Sequence, residues 1–284
     1  AAMVHQHLKT KQVEFYLRDG VESFQDVADA IHVNLKSGRT IVADMVILSI
    51  GVRPESKLAR EAGLEVGSTG GIRVDPYLKT SDPDIYACGD AIEFPNPITG
   101  DPTITYLAGP ANKQGRIVAN NIVFGNNHTY SGAIQTAAAK VFDITVASTG
   151  VSEKLLQQKE IPYNTVITHS SSHAGYYPGA SAMSIKTIFD PNSGRVLGAQ
   201  IVGYDGVDKR IDLIATVLRN GGTIWDLTEI EHAYAPPYSS AKDPVNIAGF
   251  VAENVILKRS RQIHWYQVQD SDGGERLLVD VRTP

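Results

Sequence analysis

The sequence lacks several features that would decide its class at once. It has a single cysteine, Cys88, in 284 residues, which excludes an intramolecular disulfide framework and is typical of a reducing compartment. It has no run of about 18 apolar residues, so no membrane-spanning helix is predicted. No block of Lys or Arg stands out and the net charge is -5, which disfavours a nucleic-acid-binding surface. These absences predict a cytoplasmic protein with neither a nucleic-acid nor a membrane partner.

The common cofactor and metal motifs are also missing. The sequence contains no G-x-G-x-x-G, no P-loop, no C-x-x-C and no metal-binding cluster of histidines. The nearest approach to a phosphate-binding loop is GSTGG (residues 67–71), which has the wrong spacing and no predicted helix behind it. The residues alone therefore predict no metal site and no dinucleotide fingerprint.

The first part of the chain has the patterns of an α/β protein. The run DMVILSI (44–50) is almost continuously apolar, which is typical of a strand buried on both faces of a parallel sheet. Apolar spacing predicts helices over residues 1–10 and 55–62. Alternating patterns predict short strands over 13–17, 21–24, 30–35 and 40–42.

A helix with clear end signals is predicted over residues 107–125. Gly109 is an acceptable N-cap, Pro110 suits the first helical position and Gly125 suits the C-terminal stop. From about residue 131 the pattern of predicted helices and strands is that of an α+β domain. The predicted elements there are a strand over 140–148, a helix over 152–159 capped by Ser152, a strand over 166–169, a hairpin across DPNSGR (190–195) and helices over 207–220 and 243–258.

The stretch TSDPDIYACGD (80–90) precedes this helix and carries the first candidate site. A strand delivers Gly89, where the backbone can approach a ligand closely. The carboxylate of Asp90 can accept a hydrogen bond from a ligand hydroxyl, and a buried carboxylate needs such donors. The plain alternative is an aspartate in an ordinary turn at the end of a strand.

This stretch and the helix behind it resemble the second flavin-binding motif of the pyridine nucleotide-disulfide oxidoreductases. The resemblance implies that Gly89 and Asp90 bind FAD, with Asp90 on the ribitol. It also implies that the backbone of Leu107, Ala108, Gly109 and Pro110 faces the flavin pyrimidine edge, where the positive end of the helix dipole favours negative charge. Cys88 would then be a small apolar packing residue and not the redox thiol.

The resemblance covers nearly the whole chain and implies an α/β flavoprotein with two dinucleotide-binding domains and an α+β dimer-interface domain. The implied segments are part of the NAD(P)H domain (1–50), part of the FAD domain (51–127), the dimerisation domain (128–258), a linker (259–276) and one further strand (277–284). Both ends read as if cut from a longer protein. The last segment, LLVDVRTP, resembles the opening strand of a fused rhodanese domain.

A second candidate site lies in HAYAPPYSSAKDPV, which starts at His232. This form resembles the coenzyme A-disulfide reductases, in which tyrosines of the partner subunit meet the active-site thiol. The resemblance implies Tyr238, Tyr234 and, from AGYYPG, Tyr177 or Tyr176 as catalytic phenols. A phenol with a pKa of about 10 stays protonated at neutral pH and can donate a hydrogen bond to a sulfur.

The resemblance thus implies a homodimer that uses NAD(P)H and FAD to reduce coenzyme A disulfide, a persulfide or a polysulfide through a cysteine outside this chain. Two alternatives remain open from the residues. One is an NADH oxidase or peroxidase of the same fold, and the other is a non-catalytic dimerisation module.

Overall fold

The computed structural model describes residues 2–264 together with residues 267 and 279. The chain divides into two compact units, Ala1–Ile144 and Thr145–Pro284. Among the described residues, no helix combines the length and the apolar character needed to cross a bilayer. The strand predicted over 277–284 lies outside the described residues except for residue 279.

The first unit contains three helices and two small sheets among its described residues. Its elements are α1 (Ala2–Thr10), β1 (Val21–Val27), β2 (Ala30–Leu35), β3 (Thr40–Ala43), α2 (Lys57–Glu61), β4 (Ile72–Arg73), a single 3-10 turn (Gly89–Ala91), β5 (Ile92–Pro95), β6 (Pro102–Thr103), α3 (Ala108–Phe124) and β7 (Ala137–Val141). One sheet has the order β1-β2-β3 and the other has the order β4-β5-β6.

The antiparallel sheet β1-β2-β3 is explained by its two turns. Val27 pairs with Ala30 across the first turn. In the second turn Gly38 has a φ of +84°, and the Asp19 carboxylate accepts hydrogen bonds from the backbone and side chain of Ser37 at 3.0 and 2.6 Å. The strands predicted over 21–24, 30–35 and 40–42 are thereby confirmed, and β1 is longer than predicted.

Two strands predicted in the first unit are wrong. Residues 13–17 form no strand, because Gln12 and Arg18 on either side adopt left-handed backbone angles that end any extended run. Residues 44–50 form no strand either, and Ile47 and Ile50 are 78% and 89% exposed. A central strand needs hydrogen-bonding neighbours, and none of the described strands pairs with this run.

The small sheet β4-β5-β6 lies beside the core that supports the first candidate site. Leu78, Ile92 and Tyr130 are buried together, and the ring of Phe94 meets the ring of Tyr130 edge-on at 4.9 Å. Side chains of α3, including Ile117, pack on the same cluster. This packing fixes α3 against the segment that contains Gly89.

The second unit is a sheet covered by helices. Its elements are β8 (Ile144–Gly150), which begins at the last residue of the first unit, α4 (Glu153–Gln158), β9 (Asn164–Ser171), β10 (Ala182–Phe189), β11 (Val196–Gly203), α5 (Val207–Arg219), α6 (Ile224–Glu229) and α7 (Pro244–Ile256). The strands run antiparallel in the order β8-β11-β10-β9, with α5 against β11 and α7 against β9.

Local signals explain most of this unit. The side chain of Ser152 accepts a hydrogen bond from the Leu155 N–H and caps α4, while Asp243 caps α7 ahead of Pro244. In the DPNSGR hairpin the Asp190 carboxylate accepts bonds from the backbone of Asn192 and Ser193, which lowers the pKa of Asp190. The hairpin and both caps are therefore confirmed.

Two predicted elements need correction, and one helix was missed. The single strand predicted over 140–148 is two strands, because the chain turns at Phe142 with a φ of 54°. The helix predicted over 107–125 begins two residues earlier than an N-cap at Gly109 would place it. Leu107 is the N-cap and Pro110 is the third helical residue, because the Ala111 N–H already bonds to the Leu107 carbonyl at 3.2 Å. Helix α6 is not predicted from the sequence.

Candidate functional site

The first candidate site is a backbone corner at Gly89 and Asp90. Gly89 has a φ of +80°, and nothing lies within 4 Å of where a Cβ would stand. The 3-10 turn that starts at Gly89 presents the Asp90 side chain at the surface. The sequence-based expectation of a buried Asp90 carboxylate is therefore wrong for this chain. Because the carboxylate faces outward, it is open to a ligand hydroxyl.

Cys88 also lies at the surface. Its backbone is extended, with φ -151° and ψ 171°, at the residue before the 3-10 turn. Its thiol is free and exposed, so the expectation of an apolar packing residue is wrong. The core residues that pack near this corner are Ile92 and Ala87 instead.

The N-terminus of α3 forms the other side of this site. Ala108 and Gly109 are exposed, and the N-cap Leu107 supplies no side-chain hydrogen bond to the first turn. The space around the missing Cβ of Gly109 is open to 4 Å. An end without a side-chain cap leaves backbone N–H groups and the positive end of the helix dipole available to a negatively charged group.

Two amides on the inner face of α3 hold the neighbouring loops, and the sequence-based reasoning missed both. The Gln114 Oε1 accepts a hydrogen bond from the Gly89 N–H at 2.6 Å. Two turns later, the Asn121 amide donates to the Tyr77 and His128 carbonyls at 3.0 and 2.8 Å. Both side chains are buried, although a buried helix face is usually apolar. Their spacing of seven residues is the signal that could have revealed them.

The glycine-rich stretch GSTGG is a packing feature. The buried carboxylate of Glu93 accepts hydrogen bonds from the backbone and hydroxyl of Thr69 at 2.8 and 2.7 Å. A Cβ on Gly67 would lie only 2.0 Å from that carboxylate. The glycine at position 67 is therefore required by Glu93, and nothing here points to a phosphate.

The second candidate site lies on two loops of the second unit. The first tyrosine loop, residues 172–181, connects β9 to β10 and is closed by a bond from the Ser172 N–H to the Ser181 carbonyl at 2.8 Å. The second tyrosine loop, residues 230–243, connects α6 to α7. A bond from the Ala174 N–H to the Ser239 carbonyl at 2.9 Å joins the two loops.

The two loops bring a pair of phenols together. The hydroxyl of Tyr176 lies 3.4 Å from the hydroxyl of Tyr234, and the side chains are 77% and 49% exposed. This hydrogen bond raises the pKa of Tyr176, so the phenol stays protonated at neutral pH. Tyr177 is placed differently, with its ring edge-on to the buried His173 at 5.8 Å. Tyr238 is 70% exposed at the end of a turn.

A buried ion pair lies beneath these loops. Arg210 of α5 and Asp243 are 1% and 0% exposed, and their side chains meet at 2.9 Å. Burial opposes ionisation of Asp243, but hydrogen bonds from Arg210 and Ser239 outweigh it and lower its pKa. Arg210 therefore does not lie on the exposed surface of α5. Arg210 falls in the apolar stripe of α5 with Val207, Ile211 and Ile214, a spacing that the sequence already contains.

His232 is also buried close to this pair. Its Nδ1 lies 3.7 Å from an Asp243 oxygen, and neither ring nitrogen has a hydrogen-bond partner. Burial lowers the pKa of His232, because the charged imidazolium would be poorly solvated there. The neutral ring therefore fills space beside the ion pair.

The residues present fit a flavin better than a metal. Among residues 2–264, no three His, Cys, Asp or Glu side chains form a group that could hold a metal ion. The corner at Gly89 leaves room for a close ligand, Asp90 offers an exposed acceptor for hydroxyls, and α3 offers an end without a side-chain cap. This donor set matches a polyhydroxyl chain next to an electron-rich ring edge.

Comparison with known proteins identifies the class. Residues 1–115 match the family model "Pyridine nucleotide-disulphide oxidoreductase", and residues 136–244 match the dimerisation domain of the same family. The chain belongs to the pyridine nucleotide-disulfide oxidoreductases, and its mixed α/β fold is that of these flavoprotein enzymes.

Three similar proteins narrow the class. The chain is 33% identical over 253 residues to the coenzyme A disulfide reductase of Staphylococcus haemolyticus, which covers 89% of this chain and 56% of that protein. It is 48% identical to the crystal structure of reduced Bacillus anthracis CoADR-RHD, with a TM-score of 0.91 over 95% of this chain and 48% of that one. It is 38% identical to a NAD-dependent persulfide reductase from A. fulgidus, with a TM-score of 0.91 over 99% of this chain and 53% of that one. The chain thus spans about half the length of the relatives it matches.

Proposed function

We propose that the whole protein is a homodimeric flavoenzyme that uses NAD(P)H to reduce coenzyme A disulfide, a persulfide or a polysulfide. The similarity to a coenzyme A disulfide reductase and to a persulfide reductase supports this substrate class. The observation in this chain that carries the proposal is the exposed phenol pair of Tyr176 and Tyr234, 3.4 Å apart. One NAD(P)H and one proton reduce one disulfide to two thiols.

In this proposal the phenols act on sulfur. A protonated phenol can donate a hydrogen bond to a thiolate and hold the coenzyme A sulfur as it leaves. We assign this role to Tyr234 with Tyr176 as its hydrogen-bonded neighbour, and to Tyr238 and Tyr177 as flanking residues. The tyrosines would act on the thiol of the other subunit. The redox cysteine is assigned to a residue outside residues 1–284, because in the family that this chain resembles the redox cysteine does not lie beside the aspartate of this motif.

The first unit would hold FAD, which supplies the transfer of reducing equivalents between the nicotinamide and sulfur. Asp90 would accept hydrogen bonds from the ribitol hydroxyls, and Gly89 would let the backbone approach closely. Leu107, Ala108, Gly109 and Pro110 would present the N-terminus of α3 to the negative ring edge. Gln114 would hold Gly89 in place through its bond at 2.6 Å.

The finer domain assignment is part of the same proposal. Residues 1–50 and 51–127 would belong to the NAD(P)H and FAD domains, and residues 128–258 to the dimerisation domain. Residues 259–276 would form a linker to a fused rhodanese domain, for which the residue pattern of LLVDVRTP is the support. The single cysteine supports a cytoplasmic location.

Replacement of both phenols tests the substrate assignment. In the whole protein, Tyr176→Phe with Tyr234→Phe should slow NAD(P)H oxidation by coenzyme A disulfide about tenfold or more, because the hydrogen-bond donors to sulfur are lost. The rate is measured without oxygen and then with oxygen as the only acceptor. Tyr204→Phe, at another exposed tyrosine of the same unit, is the matched control.

Unchanged disulfide reduction in the double variant would remove the basis of the proposal. A wild-type protein that oxidises NAD(P)H with oxygen but not with the disulfide would point to the oxidase instead. Single Tyr238→Phe and Tyr177→Phe variants then rank the flanking phenols.

Flavin content tests the cofactor corner independently of the substrate. Asp90→Ala should lower the flavin absorbance per protein, since the exposed carboxylate is the proposed ribitol partner. Asp84→Ala, at an exposed aspartate of the same loop, should leave flavin content unchanged. Equal flavin content in both variants would refute the assignment of Asp90.

A further inference from the structure

The buried guanidinium of Arg210 needs an explanation beyond the stability of the fold. Removing a charged group from water costs several kcal/mol unless hydrogen bonds and an opposite charge compensate it. Arg210 is 1% exposed and sits in the apolar stripe of α5. An apolar residue would fill the same place without that cost. The role of the buried guanidinium is therefore sought in its hydrogen-bond partners.

Those partners come from three separate segments of the second unit. The Nη2 atom donates to the Ser172 carbonyl at 2.7 Å, at the start of the first tyrosine loop. The Nη2 and Nε atoms also donate to the Asp243 carboxylate at 2.9 and 3.2 Å, at the end of the second tyrosine loop. The Nη1 atom donates to the Gly206 carbonyl at 3.1 Å, just before α5. One side chain therefore contacts both loops.

The second tyrosine loop is fixed to the same centre. The Ser239 hydroxyl donates to the Asp243 carboxylate at 2.5 Å, and the Ser239 carbonyl accepts the bond from Ala174 of the first loop. Glycine at position 206 leaves room for this side chain, since a Cβ there would lie 2.0 Å from the Arg210 Nη1. Ser172 and Ala174 lie four and two positions before Tyr176, and Ser239 lies five positions after Tyr234.

We infer that Arg210, with Asp243 and Ser239, is a positioning residue that holds Tyr176 and Tyr234 within hydrogen-bond distance of each other. The inference rests on the proposed function for its link to sulfur chemistry, but the geometry it explains is independent of substrate. Neither Arg210 nor Asp243 reaches the surface, so neither touches a substrate.

Arg210→Lys in the whole protein tests this role. Lysine keeps the positive charge but loses the planar fork that reaches both loops at once. We expect the pKa of Tyr176 to fall towards its ordinary value, because its hydrogen bond with Tyr234 raises that pKa in the intact arrangement. The measurement is a carbon-13 NMR titration of labelled tyrosine, with the Tyr176 signal assigned from Tyr176→Phe. Arg219→Lys makes the same chemical change at an exposed position of α5 and should leave the signal unchanged.

A second variant covers the case in which Arg210→Lys does not fold. Ser239→Ala removes one hydroxyl and leaves the ion pair in place, so a smaller shift in the same direction is expected. Coenzyme A disulfide reduction should fall about tenfold in Arg210→Lys and should not fall further when Tyr176→Phe and Tyr234→Phe are already present. Such non-additivity is not expected if Arg210 only stabilises the fold.

The outcomes separate this inference from the proposed function. An unchanged Tyr176 titration in the folded Arg210→Lys protein, or in Ser239→Ala if the lysine variant does not fold, overturns the inference. Full disulfide reduction in the double phenylalanine variant overturns the proposed use of the phenols, while the titration still decides whether Arg210 positions them.

Discussion

The two units of this chain treat similar apolar sequences in opposite ways. In the second unit Ile185, Ile201 and Leu227 are at most 1% exposed between the strands β8-β11-β10-β9 and their covering helices. In the first unit the run over 44–50 is at least as apolar, yet Ile47 and Ile50 lie in the open. The difference teaches that an apolar pattern becomes a strand only where neighbouring strands and a covering layer are available.

Three helix ends of the chain differ in a comparable way. In the second unit, α4 and α7 are closed by the side chains of Ser152 and Asp243. In the first unit, α3 begins at Leu107 without a side-chain cap. A side-chain cap stabilises a helix by satisfying its first N–H groups. At the N-terminus of α3 those N–H groups are available to a ligand, and the proposed flavin edge lies there.

The largest expected effect concerns the cores. In the chain of 284 residues, Leu227→Ala should lower the free energy of unfolding by about 3 kcal/mol, because it leaves a cavity in a closed core. Ile47→Ala should change it by less than about 0.5 kcal/mol, because the side chain is already in water. Urea denaturation measures the free energy of unfolding of both variants. Hydrogen exchange of the α6 amides reports the effect of Leu227→Ala locally. An equal cost for the two variants would show that residues 44–50 are packed after all.

The next largest effect concerns how the free energy of unfolding of the second unit changes as the pH is lowered. The ordinary pKa of His232 is 6.5 and its folded value is lower, so the unfolded chain binds more protons between the two values. The stability of the second unit should therefore fall as the pH drops from about 7 to about 5. His232→Gln should flatten this dependence, whereas His128→Gln, at an exposed histidine of the first unit, should not. The check is the unfolding free energy at several pH values, and an unchanged slope in His232→Gln would contradict the prediction.

The capping comparison gives the smallest effect. Ser152→Ala should cost about 1 kcal/mol, because α4 loses the acceptor for the Leu155 N–H. Ser148→Ala, four residues earlier and exposed on β8, should cost only a few tenths of that. Thermal unfolding of the two variants is sufficient. A cost as small for Ser152 as for Ser148 would mean that water replaces the cap.

Sequence reasoning reached the second unit more completely than the first because its signals are local. Asp190 and Gly194 form their turn within six residues, and Asp243 caps a helix that begins at the next position. The corner at Gly89 was also predicted, as a turn ahead of a helix. The partner of Gly89 was not, since Gln114 lies 25 residues away and no local rule connects them.

The tyrosines show the same limit. The sequence marks Tyr234 and Tyr238 by their proline-rich neighbourhood and offers Tyr177 or Tyr176 without a choice. Only the fold selects Tyr176 as the neighbour of Tyr234, because the two tyrosines are 58 residues apart along the chain.

By itself the sequence determined the capped helices, the hairpins, the family to which the chain belongs and the residue types available at each candidate site, since these depend on neighbours a few positions away. The tertiary structure decided that Asp90 and Cys88 face outward, that residues 44–50 remain unpaired and that Arg210 is buried under two tyrosine loops. Burial and pairing depend on which distant segments meet, and that is settled by packing rather than by any local pattern.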